Sequence, residues 1–340
     1  MQYRIHRPSP GSATRGLSTA LIALSTLAAC GLAAAQPAAP WPVKPLRIIV
    51  PFGPGGASDF VARVLQPRFG ELLGQQVLVD NRPGAAGNIA VELASRSSPD
   101  GYTMLLGNAG AVAINPSVFP KFPVRPLRDL ACVTLIADLP GALAIHPSLP
   151  AATLREFIDH VRARPGQLNY GSAGTASPQR LAFEFVIAKT GMNIVHVPYR
   201  GGAGAATAAL LGNEVSAVPA TVASFIAHAK AGKLRVLAVM APRRSAQLPE
   251  VPTMIELGFP ELTTGSWQSI QVPAGTPPGT VRQLFSVIQR AMTDPVTVER
   301  LTAGGADLLL SASPEECTAF VKKQTDFWAA LVQRIGVTGD

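Results

Sequence analysis

The chain has 340 residues, with 29 Lys and Arg against 21 Asp and Glu, a formal net charge of +8 and three Cys. Its basic residues are scattered, and the pair Arg243-Arg244 has no interleaved aromatic residue, which argues against a nucleic-acid surface. At this length two domains fit better than one, and mild positive charge favours anionic ligands at long range.

The first 16 residues carry Arg4, Arg7 and Arg15 and no acid, and the apolar run over 17–35 ends in small residues. That pattern predicts a secretory signal over 1–35 with cleavage before Gln36, hence a periplasmic protein. Removing it lowers the net charge to +5. Ser and Thr interrupt the run, which argues against a retained membrane helix. The segment "LAAC" also resembles a lipobox, in which Cys30 would carry a lipid anchor; the soluble form is the first expectation. Cys132 and Cys317 remain, 185 positions apart. The compartment permits a disulfide, but two separately buried thiols are the simpler reading.

Beyond the signal, apolar strands alternate with helical patterns. "LRIIVPF" predicts a buried strand and "VARVLQPRFGELL" a helix, and "QQVLVDN", "GNIAVELASRS" and "YTMLLGN" continue as strand, helix and strand. Such spacing predicts βαβ units and a mostly parallel sheet. A looser stretch with Pro at 116, 120, 123 and 126 leads to two tandem strands, "ACVTLIAD" and "GALAIH". Alternation resumes from "TLREFIDHVRAR" to "LRVLAVMA", and helices are then predicted over 277–292, 295–303 and 313–335. In the last, Ser313, Pro314 and Glu316 form an N-cap, a first-turn proline and a capping box. Phe320, Phe327, Leu331 and Ile335 mark its core face. Two α/β units emerge, with two crossings near 131–145 and 258–272 and a ligand cleft between them.

Three strand-to-helix turns share one property. In "PFGPGGASD", Gly55 and Gly56 leave the N–H groups of Ala57, Ser58 and Asp59 unshielded at the positive end of a helix dipole. "NYGSAGTASPQR" repeats the arrangement with the hydroxyls of Ser172, Thr175 and Ser177. "VPYRGGAGAAT" places Tyr199 and Arg200 before Gly201 and Gly202. At the carboxyl ends of strands, such turns predict an anion site, with a ligand carboxylate approaching Gly55 and Gly56. Asp59 reads either as a helix-start cap or as a cleft-facing acid that would welcome an ammonium group.

Catalytic and cofactor patterns fail to assemble. G-x-G-x-x-G breaks at Ser58, although Asp80 stands at a suitable distance for a dinucleotide site. Gly232-Lys233 is followed by Leu, not by a P-loop hydroxyl residue. No nucleophile elbow surrounds Ser58, Ser172 or Ser177. His146, His160, His196 and His228 lie at no metal-ligand spacing, and His196 reads as a structural histidine. The expectation is a binding protein with no catalytic residue, cofactor or metal.

The motifs "PFGPGGASDFVAR", "VDNRPGAAGNIA", "SPDGYTMLLGN", "INPSVF", "NYGSAGTAS", "VPYRGG", "LAVMAPRRS", "PEVPTMIELGFPEL" and "PAGTPP" follow one another in the order seen in Bug-type solute receptors. In this the chain resembles the extracytoplasmic receptors of tripartite tricarboxylate transporters. The resemblance implies an α/β type II periplasmic binding fold, with two lobes joined by two crossover strands. Lobe 1 would comprise 36–140 plus 263–340, and lobe 2 would comprise 141–262. It further implies a small carboxylate ligand, an organic acid or acidic amino acid, held partly through backbone amides. Lobe 1 would present Phe52, Gly53, Gly55, Gly56, Ala57, Ser58, Asp59 and Asn108. Lobe 2 would present Ser172, Ala173, Gly174, Thr175 and Ser177, with Tyr199, Arg200, Gly201 and Gly202. Arg200 stands where relatives often carry Lys; it could grip a second carboxylate in a bidentate way or lie along the surface. The implied partners of this monomer are one large and one small membrane subunit, or alternatively a sensor ectodomain.

Overall fold

A computed structural model describes residues 1–5, 41–174, 176–199, 201–262 and 265–337. Most of the expected signal, Cys30 included, lies outside these residues, as do Thr175 and Arg200. Residues Met1–Trp41 form one unit and Pro42–Asp340 another, which carries every element below. Among the described residues no helix is long and apolar enough to cross a membrane.

The chain begins its first sheet with β1 (Leu46–Val50), α1 (Ala57–Leu73), β2 (Val77–Asn81), α2 (Asn88–Ser95) and β3 (Thr103–Asn108). β1 lies between β2 and β3, parallel to both. Its run LRIIV is apolar nearly throughout because both faces are covered. After β4 (Leu130–Asp138) the chain enters a second sheet with β5 (Gly141–Ile145). There follow α3 (Leu154–Arg162), β6 (Asn169–Ser172), α4 (Pro178–Thr190), β7 (Val195–Pro198), α5 (Gly202–Leu211), β8 (Ala217–Thr221), α6 (Val222–Lys230) and β9 (Arg235–Met240). It returns with β10 (Gln268–Pro273), α7 (Pro278–Met292), α8 (Pro295–Ala303), β11 (Asp307–Leu308) and α9 (Pro314–Ile335). The strand orders are β11-β4-β10-β3-β1-β2 and β7-β6-β8-β5-β9.

Both sheets are mixed, where alternation alone predicts mostly parallel ones. β10 runs antiparallel to β3 and β4, and β5 runs antiparallel to β8 and β9. The crossings impose this. β4 leaves the first sheet at the end where β10 re-enters, so the two must point in opposite directions, and the same holds for β5 and β9. The two crossings also pair with each other, Ser266 N–H donating to the Leu139 carbonyl at 2.8 Å.

This topology fixes where the turns lie. Asn108 at the end of β3 pairs with Gln268 at the start of β10, beside the crossing, and β1 is parallel to β3. Gly141 at the start of β5 pairs with Thr221 at the end of β8, and β6 is parallel to β8, with β7 parallel to β6. The carboxyl ends of β1, β3, β6 and β7 therefore all lie on the crossing side of their sheets.

The late helices cover the first sheet, α7 packing on α1 and β4 and α9 on β4 and the 109–114 turn. A disulfide joins Cys132 of β4 to Cys317 of α9, with Cα atoms 5.8 Å apart. This corrects the reading of two separate thiols, which rested on a spacing that says nothing about distance in the fold. Of the face expected for α9, Leu331 is buried and Phe320 and Ile335 pack against the core, but Phe327 is 39% exposed while its neighbour Trp328 is buried on the side of Cys317, Val321 and Val332.

Candidate functional site

The first turn leads from β1 into α1. Gly55 has φ +79°, a left-handed conformation that favours glycine. Gly56 precedes the helix with φ −80° and ψ 170°, and no side chain caps the helix start. The N–H groups of Ala57, Ser58 and Asp59 are thus the open donors of that start. A Cβ at Gly53 or Gly55 would meet no atom within 4 Å, and one at Gly56 would meet only the Gly53 carbonyl, at 3.4 Å.

The Asp59 carboxylate is buried and engaged by its own loop, helix and neighbouring strand. Its side chain is 4% exposed and accepts from Gly55 N–H (2.9 Å), Arg63 Nε (2.9 Å) and Asn81 Nδ2 (3.0 Å). Burial alone would raise its pKa; the donors of Arg63, Gly55 and Asn81 outweigh it and hold the carboxyl below its usual range. Asp59 therefore ties the loop together, and its backbone N–H is among the open donors of the helix start. Phe52 is also used internally: its carbonyl accepts from Asn81 Nδ2 at 2.9 Å.

Ser58 and Asn108, fifty positions apart, meet at the floor of the first lobe. Asn108 Nδ2 donates to Ser58 Oγ (3.1 Å), which donates to Gln268 Oε1 (2.9 Å). Gln268 Nε2 donates to the Ser266 carbonyl at 3.0 Å, and Asn108 Oδ1 accepts from Ala111 N–H at 2.9 Å. Ser58, Asn108 and Gln268 are each no more than 3% exposed. This buried chain locks the start of α1 to the ends of β3 and β10, beside the crossing. Asn108 also begins a wide, π-type helical turn over Ala109–Ile114. A Cβ at Gly110 in that turn would lie 3.4 Å from the Ala176 carbonyl of the second lobe, so the two lobes approach closely here.

In the second turn Ser172 Oγ accepts from Gly174 N–H at 3.2 Å and lies 2.7 Å from His196 Nε2. Gly174 has φ +117°, with no atom within 4 Å of an added Cβ. Ser177 caps α4, accepting from Arg180 N–H at 3.3 Å, and Ala173 lies in the bend between them. His196 stacks on Tyr170 with ring centroids 4.9 Å apart. Burial, then the charge of Arg180, push its pKa down to about 4 against the pull of Glu184, so it is neutral at pH 7. Tyr170 and Arg180 both bond to Glu184 Oε1, at 2.6 and 3.0 Å.

The third turn stands on the second. Tyr199 N–H donates to the Ser172 carbonyl at 3.0 Å, and a Cβ at Gly171 would lie 3.0 Å from the Tyr199 ring. The ring thus packs against the sheet. Gly201 precedes α5 and Gly202, with φ +77°, opens it.

The chain matches the family model described as "Tripartite tricarboxylate transporter family receptor" over residues 61–337. Protein BugT of Bordetella pertussis is 36% identical over 311 residues, covering 91% of this chain and 95% of the relative. The chain belongs to the tripartite tricarboxylate transporter receptor family. Solved structures that share its fold include two bound to carboxylates. An R. palustris protein with adipate is 30% identical with a TM-score of 0.83, covering 88% of this chain and 99% of the other. MatC from Rhodopseudomonas palustris with bound malate is 28% identical with a TM-score of 0.80, covering 86% and 100%. The two-lobed, type II-like binding fold holds for this receptor.

Reading the receptor's sequence alone misses Gln268, Ser266, Asn81 and Arg63, which hold the first turn in place. The polar residues Gln268, Ser269 and Gln271 in a buried strand are the signal that could have pointed to the network. Among the described residues no cluster of His, Cys, Asp or Glu is arranged for a metal ion.

Proposed function

We propose that this family member is a periplasmic receptor, secreted by its N-terminal signal and monomeric, that closes on a small carboxylate and delivers it to the two membrane subunits of a tripartite transporter. The lobes are 36–140 with 263–340, and 141–262, and Thr175 and Arg200 complete the second and third turns. The observation that supports the reading is the start of α1, which no side chain caps and which follows the bare backbone of Gly55 and Gly56. A carboxylate there takes charge-assisted bonds worth roughly 1.5–3 kcal/mol each and the favourable end of the helix dipole. The fold-sharing proteins solved with adipate and malate support the same ligand class. The role is binding, not catalysis.

Thermal shift of the purified protein against di- and tricarboxylates, their amides and sugars tests this. An acid at 100 times its Kd adds about 2.7 kcal/mol of stability, and its amide should add nothing comparable. Shifts with amides or sugars in place of acids would overturn the reading.

A further inference from the structure

We infer that Gln179 is a further ligand-contacting residue, its side-chain amide donating from the second lobe to an oxygen of the bound acid. The inference rests on the carboxylate reading above and adds a residue to that site, on the helix rather than in the turn.

Gln179 is the second residue of α4, two positions after the Ser177 that caps the helix and five after Gly174 of the second turn. The residue is 4% exposed, and its Nε2 is buried with no hydrogen-bond partner. A buried amide N–H without an acceptor costs stability, and native structures keep few of them.

The position of this amide supplies a use for it. Gly141 opens β5 directly beyond the first crossing, and a Cβ there would lie 3.2 Å from Gln179 Cγ and 3.0 Å from Met240 Sδ. Gly141 is not among the glycines with positive φ, so what glycine provides here is room, and the Gln179 stem is one of the groups that fill it. Just before Gln179 in the chain, the Ala176 carbonyl and Pro178 Cδ would lie 3.4 and 3.8 Å from a Cβ on Gly110 of the first lobe. Gln179 therefore stands where the second turn, the first crossing and the first lobe converge.

An amide N–H suits an acid oxygen, because it donates without bringing a charge of its own to be desolvated. The start of α4 favours the same negative charge through its dipole. Two other buried atoms without partners lie at the crossings, Asp138 Oδ1 and Trp267 Nε1. The first belongs to an acid, and the ring of the second packs edge-on against Phe320 of α9. Gln179 is a neutral donor on the helix that the second turn begins.

Titration calorimetry of the wild type and Gln179→Met against succinate, glutarate, adipate, citrate and benzoate tests this, together with melting of both ligand-free proteins. Methionine keeps an unbranched, flexible side chain and removes the amide. For the acid that the wild type binds most tightly, the variant should bind roughly tenfold or more weakly. Its ligand-free melting temperature should be equal or higher, since an unpartnered buried donor is gone. Equal affinity overturns the inference and leaves the carboxylate reading standing. A loss of affinity that comes with a clearly lower ligand-free melting temperature marks a structural amide and overturns it too. No binding of any of these acids by the wild type removes the carboxylate reading and the inference with it.

Discussion

Gly56 and Gly174 separate two reasons for using glycine. Gly56 has an ordinary extended backbone, and an added Cβ there meets nothing closer than 3.4 Å. Gly56→Val should therefore leave the far-UV CD and melting temperature nearly unchanged while weakening carboxylate binding at least a hundredfold by calorimetry; wild-type affinity would remove Gly56 from the site. Gly174, at φ +117°, is strained by any side chain, so Gly174→Val should lose about 1–2 kcal/mol of stability together with binding. Ser58 is a structural tie. Ser58→Ala leaves Asn108 Nδ2 and Gln268 Oε1 buried without a partner, and denaturant unfolding should register a loss of about 1–3 kcal/mol. The glycines of the first turn are legible in the sequence because bare backbone before a helix has a recognisable pattern. The direction of the Asp59 side chain is not, since it depends on Asn81, 22 positions away, which reaches the same point only after folding.

Among the elements, α9 shows how a distant link fixes a helix. The Cys132–Cys317 disulfide closes a separation of 185 residues, for which chain-entropy reasoning gives on the order of 3–5 kcal/mol. The double variant Cys132→Ser, Cys317→Ser should unfold at markedly lower urea, and reductant should do the same to the wild type and nothing to the variant. Equal midpoints for all would contradict the link. Strand and helix positions follow closely from the apolar periodicity, down to the tandem strands that carry the crossing. The antiparallel pairing of β10 and β5 was not legible, because periodicity gives a strand's faces and not the end from which the chain returns. The exposed Phe327 has the same origin: both it and Trp328 are apolar, and which of them turns inward depends on how the helix packs on the first sheet.

For the whole molecule, the crossings carry a titratable group. Asp138 ends β4 with Oδ1 buried and unpartnered, and burial, with the nearby charge of Asp307, pushes its pKa up to about 7 despite a bond from Leu139 N–H. An Asp raised in the folded state binds its proton more tightly there than when unfolded, so its contribution to stability is complete below about pH 4 and is lost as pH rises through 7. Asp138→Asn should thus gain roughly 1–3 kcal/mol at pH 8 and little at pH 4; an equal effect at both would contradict a buried, titrating hinge carboxyl. His196 acts in the opposite sense. Its lowered pKa makes the folded state lose stability as pH falls from about 6.5 toward 4, and His196→Gln should flatten that acid limb of the melting curve. The crossings matter because the carboxyl ends of the strands on both sheets face them, and the account places the ligand there. A crystal structure with a bound dicarboxylate tests that placement most directly. The account predicts a carboxylate oxygen about 3 Å from the backbone nitrogen atoms at the start of α1, with the second turn closed over it. A ligand seated away from that helix start, with Gly55 and Gly56 untouched, would contradict it.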